Sequence, residues 1–290
     1  SILSGIIFSA SGSIWWGVIG VFYFKLVAFA GTIELIVHRT VWTAFLLVLT
    51  TSFYSKWKDF FYIFKDSKKT SILFLCGVLI LSNWTIWIYA VVSNNLVDAS
   101  FGYYIFPILS VFFGIVFLKE SYNFEKIISI LLVLVAIIFL LFNFDSVPWV
   151  GLGVACTWST YTLLRKKINV PTDMGLLVET LFMTPFMIVV FYIIAKNGNN
   201  FFSPEDLKVS FFLFLAGVVS LVPLFLYLKG VEFAGLGTSG MIFFITPTCQ
   251  FLLGIFYFNE ILDYTKLISF IIIWIAVIIY LYDLFKKNES

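Results

Sequence analysis

Charge is what this sequence most lacks. Only 12% of its 290 residues are Asp, Glu, Lys or Arg, while 61% are hydrophobic. A soluble domain is about a quarter charged, so too few polar side chains remain here to clothe one water-facing core. That excludes an ordinary soluble enzyme or binding domain and points to an integral membrane protein. Histidine occurs once, which rules out an HExxH metal site, and neither a P-loop nor a GxSxG signature is present. A net charge of +2 is too small to suggest a nucleic-acid partner. Cys76, Cys156 and Cys249 lie far apart in apolar runs, so no disulfide framework or metal-ligand spacing follows from them. No catalytic residue, metal or cofactor is expected. Without an ATP site, any transport must draw on ion or substrate gradients.

Long apolar runs fill the chain instead. Ten segments approach the ~20 residues that a spanning helix needs: 4–24, 32–53, 71–92, 98–118, 125–143, 149–166, 174–195, 208–229, 236–257 and 265–285. The runs are too long and continuous for barrel strands, which alternate over ~10 residues. The first run lacks a basic flank and is long enough to span, so it reads as a membrane helix and not as a cleaved leader. Lys and Arg concentrate in alternate connections. Lys56, Lys58, Lys65, Lys68, Lys69, Lys119, Arg165, Lys166, Lys167, Lys229, Lys286 and Lys287 fall on one side, against Lys25, Lys196, Lys208 and Lys266 on the other. The positive-inside rule then places both termini in the cytoplasm.

The chain repeats itself. YYIFPILSVFFGIVFLKE (103–120) and FFITPTCQFLLGIFYFNE (243–260) share a proline, a glycine and a glutamate: Pro107 with Pro247, Gly114 with Gly254, Glu120 with Glu260. Asn83 and Pro223, and Ala90 and Gly230, keep the same offset. The expected architecture is all-α, with two five-helix halves, 1–145 and 146–290. An odd number of crossings inserts the second half upside down, which is the inverted-repeat plan of secondary transporters with a site near the midplane. The repeat pairs Glu34 with Glu179 but sets His38 and Arg39 opposite Met183 and Thr184.

Ionisable groups inside such helices are costly and normally face protein or a wet cavity. The run TIELIVHRTVW places Glu34, His38 and Arg39 within six residues. Glu34 and His38 share a helix face, and Arg39 lies about 12 Å into its helix, too deep to snorkel comfortably. Two readings stand. In one, Glu34 and His38 form a bonded pair and Arg39 fixes helix packing. In the other, Arg39 grips a carboxylate, Glu179 or Glu34 meets an ammonium, and His38 couples transport to protons. Asn83, Trp84, Trp87, Tyr103 and Tyr104 are the expected walls of the site. Pro107 and Pro247 are expected to free the carbonyls of Tyr103 and Phe243 at matching places in the two halves. Gly5, Ser9, Ser13 and Gly17, four apart, form a stripe for close helix packing within the fold or in a dimer. Lys119–Glu120 and Asn259–Glu260 read as caps at the membrane interface.

These residues resemble the EamA-type drug/metabolite transporter superfamily, most closely its RarD branch. The resemblance rests on Trp15–Gly17, Tyr23-Phe24-Lys25, Glu34 with His38-Arg39 and Trp42, and Asn83-Trp84. It continues through Ala99-Ser100, Gly102-Tyr103 with Pro107, Arg165-Lys166-Lys167, Glu179-Thr180, and Pro247 with Glu260. It implies a ten-helix carrier in the bacterial inner membrane with a central cavity, moving amino acids, other small metabolites or drugs. The branch is usually labelled a chloramphenicol-resistance permease, which does not fix the physiological substrate. The leading expectation is a carrier, monomeric or dimeric, for a zwitterionic or amine-bearing solute, with coupling to protons or a counter-substrate. A permease for drugs or lipophilic cations and a non-transporting scaffold or sensor are the alternatives.

Overall fold

The computed structural model describes residues 1–93, 96–142, 149–257 and 264–286. Asn259, Glu260 and Lys287 lie outside the described residues, as do the side chains of Ala99, Ser100, Lys266 and Lys286 and the surroundings of Gly254. In hydrocarbon every backbone N–H and C=O must find a partner inside the segment, which leaves helix as the solution for long apolar runs. Among the described residues all regular structure is indeed helical. Among the described residues six spans are long and apolar enough to cross a membrane alone: Ile2–Leu26, Ala28–Phe53, Ser67–Ala90, Phe124–Leu141, Thr172–Lys196 and Leu207–Ala234. Gly102–Leu118 and Leu267–Tyr282 are shorter apolar helices.

The elements in order are α1 (Ile2–Trp15), a π-helical turn (Trp16–Gly20) leading into α2 (Val21–Leu26), and a short 3₁₀ turn (Ala28–Ala30). Then come α3 (Gly31–Phe53), α4 (Trp57–Ile63), α5 (Ser67–Val92), α6 (Leu96–Leu118) and α7 (Phe124–Leu141). The second half supplies α8 (Trp149–Ile168), α9 (Thr172–Lys196), α10 (Leu207–Ala234), α11 (Leu236–Ile242), α12 (Ile245–Phe256) and α13 (Tyr264–Lys286). Each apolar run of the sequence is therefore helical. The short α4 in the lysine-rich connection was not expected. Asp66, Asn123 and Asp206 cap α5, α7 and α10 by accepting the N–H of Lys69, Lys126 and Val209.

Helices of the first half pack chiefly on helices of the second. α1 lies along α10, α3 between α9 and α10, α5 and α6 against α8, α11 against α6, and α7 against α13. Small residues make this interleaving possible. Ser9 donates to Ser239 Oγ at 2.9 Å, and Thr246 donates to the Ser13 carbonyl at 3.0 Å. The Gly5–Gly17 stripe thus serves neighbours within the fold, with Gly5 against Ala234 and Gly17 against Thr246 and Cys249.

The two matching prolines sit in different surroundings. α6 runs unbroken through Pro107. The matching run of the second half is split between α11 and α12, where Thr246 N–H turns back to the Phe243 carbonyl at 2.9 Å, so that carbonyl is bonded and not free as expected. The two halves are alike in sequence but not in this detail.

Candidate functional site

The π-helical turn widens the first helix where Trp16 and Gly20 face inward, and such turns recur at functional sites. They open one side of a cavity of about 40 Å³. Phe24, Trp84, Trp87, Tyr103, Trp158 and Phe243 are the other aromatics on its lining. Among the described residues lining it, Arg39 is the only charged one. At about 40 Å³ the enclosed space is small for an organic solute.

Arg39 sits here because α3 is buried on nearly every side from Glu34 to Thr40. Its guanidinium lies over Trp84 at 4.4 Å and over Phe24 at 4.8 Å. Two aromatic rings thus stand against the cation, a contact that arginine makes more often than lysine. Nε donates to Ser220 Oγ at 2.8 Å. No carboxylate pairs with it among the described residues. A buried cation without an anion is costly, and the fork of N–H groups left toward the cavity is suited to a planar carboxylate.

Asn83 also lines the cavity, donating to the Val154 carbonyl and to Thr157 Oγ1, both at 3.0 Å. This ties α5 to α8. Phe24 meets Trp87 edge-on at 5.2 Å, and Phe243 lies 5.5 Å from Tyr103 and 4.9 Å from Phe106. Tyr104 is one residue on, about 100° round the helix, and turns away to pack on Phe270 at 5.5 Å.

The acids of the sequence reading stand elsewhere. Glu34, 2% exposed, accepts the backbone N–H of Phe201 with both oxygens and that of Phe202 with Oε1, all at 2.9 Å. His38 Nε2 is 3.4 Å from Glu34 Oε1, and Trp42 Nε1 donates to His38 Nδ1 at 3.0 Å. An indole nitrogen can only donate, so Nδ1 accepts and the ring proton sits on Nε2, toward Glu34. The trio fastens α3 to the segment between α9 and α10. Glu179, fully buried, takes the Tyr161 hydroxyl on Oε2 at 2.9 Å, and its Oε1 is 3.1 Å from Arg165 Nε.

The structure thus brings Arg39, Asn83, Trp84, Trp87, Tyr103 and Phe243 together, and places Glu34, His38, Tyr104 and Glu179 outside the cavity lining. The sequence reading missed Trp16, Gly20, Phe24, Trp158 and Ser220. Trp16 sat in a quoted motif, but one tryptophan among nine carries little signal. Ser220 had none, since its role depends on α10 crossing α3.

The EamA-like transporter family matches the chain twice, over residues 3–142 and 147–282. Protein RarD of Salmonella typhi is 31% identical over 279 residues, covering 96% of this chain and 95% of that protein. The uncharacterized transporter YojE of Bacillus subtilis is 31% identical over 289 residues, covering 99% and 96%. A solved structure described only as "Crystal structure of protein" superposes with a TM-score of 0.67 over 95% of this chain and 96% of that one. Its sequence identity is 13%, so it speaks for the fold alone.

Proposed function

As this chain belongs to the EamA-like transporter family, a multi-pass membrane protein and transporter, we propose that it is a secondary carrier for a small solute with an anionic end. An amino acid or its derivative fits best. One observation carries this reading. Arg39, 3% exposed, faces a cavity walled by aromatics and has no acidic partner there. A solute carboxylate supplies the missing charge. Its ammonium, if present, meets ring faces and not an acid, since Glu34 and Glu179 are engaged elsewhere.

Ten crossings, two halves of opposite orientation and cytoplasmic termini in the inner membrane complete the proposal. A cavity lined by residues of both halves supports movement of one against the other. So does the size of the cavity, which must open to admit a solute and close behind it. Cations are disfavoured as cargo because they would meet the charge of Arg39. A neutral lipophilic drug would not, and its transport should survive the loss of that charge.

The test is uptake and counterflow in proteoliposomes, alongside thermal-shift titration with amino acids. Binding raises the unfolding temperature by mass action. Both responses should vanish in Arg39→Ala and stay weak in Arg39→Lys. Normal amino-acid transport by a well-folded Arg39→Ala protein would overturn the reading.

A further inference from the structure

A second cavity, of about 80 Å³, lies where α8 turns into α9 beside the end of α10. It is polar where the central one is aromatic, with Arg165, Lys166, Thr172 and Glu232 on its walls. Most of these groups are satisfied. Lys166 Nζ donates to the carbonyls of Val231 and Glu232 at 2.9 and 2.8 Å. The Glu232 carboxylate accepts from Thr172 Oγ1 at 3.0 Å and from Lys229 Nζ at 2.9 Å.

Arg165 is the exception. It is 6% exposed, and Nη2 donates to the Thr172 carbonyl at 3.2 Å. Nη1 lies against Gly175 and has no hydrogen-bond partner. Its Nε approaches Glu179 Oε1 to 3.1 Å, yet neither atom completes a hydrogen bond in that ion pair. The cation and its acid are therefore near each other without being well joined. A buried pair with incomplete hydrogen bonds gains less from its attraction than a well-aligned one.

The two cavities share one face of α8. Trp158 lines the central one and Arg165 the other, seven residues or about 10 Å further along. Tyr161 lies between them, stacked on Trp158 at 5.4 Å and bonded to Glu179.

Resting on the transport reading above, we propose that the second cavity is a further solute subsite, in which Arg165 takes the anionic group when Glu179 gives it up. Glu179 is then an internal stand-in for the solute. Substitution of one carboxylate for the other leaves the charge around Arg165 unchanged, and Tyr161 keeps one oxygen of Glu179 bonded. A buried carboxylate without its cation is unstable, so Glu179 returns and expels the anion. With the termini in the cytoplasm, release is to that side.

The test separates the two arginines. Acetate and inorganic phosphate serve as probes in thermal-shift titrations of the full chain, in an Arg39→Gln background that silences the central site. Residual stabilisation is expected there, and it should strengthen about tenfold in apparent Kd when Glu179→Gln removes the competing charge. It should disappear in Arg39→Gln/Arg165→Gln. If Glu179→Gln does not fold, Glu179→Asp withdraws the carboxylate and should give an intermediate gain. Unchanged affinity in the Glu179 variants, or a response that survives loss of Arg165, overturns the proposal. So does Arg165-dependent stabilisation by phosphatidylglycerol in mixed micelles with none by the free anions, which would make the cavity a lipid headgroup site. Failure of the Arg39 reading would show separately, as an equal response in the parent and in Arg39→Gln.

Discussion

His38 and Arg39 are adjacent in sequence, yet α3 sends them to opposite duties. His38 turns to Glu34 and Trp42 on the side of the segment between α9 and α10. Arg39 turns into the aromatic cavity, between Trp84 and Phe24. The 100° between successive helical residues is the whole cause. Substitutions at the two positions should therefore fail in different ways.

Glu34→Ala should lower stability with little effect on solute affinity. The carboxylate accepts the N–H groups of Phe201 and Phe202, and a buried donor left unsatisfied costs roughly 1–3 kcal/mol. Thermal unfolding with hydrogen exchange at Phe201 and Phe202 measures this. Unaltered exchange at both amides would argue that the segment is held by its rings alone.

Ser220→Ala should weaken solute binding without abolishing it. Ser220 Oγ accepts from Arg39 Nε–H at 2.8 Å, and a hydrogen bond to a charged group is worth about 1.5–3 kcal/mol. Comparison of Kd values in Ser220→Ala and Ser220→Thr checks it, since threonine keeps the oxygen.

Gly217→Ala should destabilise, against the usual helix preference for alanine. A Cβ there would come within 2.6 Å of the Trp42 Cβ and 2.7 Å of its backbone carbon. Forcing α10 from α3 should cost about 1–3 kcal/mol, where an open helical site would gain nearly 1 kcal/mol. A higher unfolding temperature for Gly217→Ala would mean that the two helices are less closely packed.

Glu120→Ala should loosen the start of α11. Its carboxylate accepts the N–H of Leu236 at 2.6 Å and of Gly237 at 3.0 Å, joining the end of α6 to the second half. Exchange at those two amides should rise, and transport should slow if this contact closes the bundle on that side. The acid read as an interfacial cap is a cap, though of a helix in the other half.

Lys56→Ala should change little. Its ammonium meets Asp173 at 2.7 Å in the open, and the hydrogen bond to that acid raises its pKa above the ordinary lysine value. A raised lysine pKa gives stability that is complete below the free-lysine value and is lost as pH climbs through the bound one. Exposed pairs contribute at most about 1 kcal/mol, so any loss should shrink further in high salt. An effect that persisted in high salt would point to a role beyond charge pairing.

The sequence by itself determined the membrane class, because apolar runs of this length leave the backbone no partner but its own helix. It also carries one internal offset, at which Pro107 matches Pro247 and Glu120 matches Glu260. And it singled out Arg39, because a deep cation in an oily run needs a reason. It could not say which face of the bundle each ionisable group would meet. Arg165 read as one of three loop charges, and only the turn of α8 beneath α9 buries it while leaving Lys167 exposed. Glu179 looked like a partner for the solute until the same turn placed it against Arg165 and Tyr161. Burial and pairing belong to the crossing of helices distant in sequence, so tertiary structure alone decided which charges face the cavity and which hold it together.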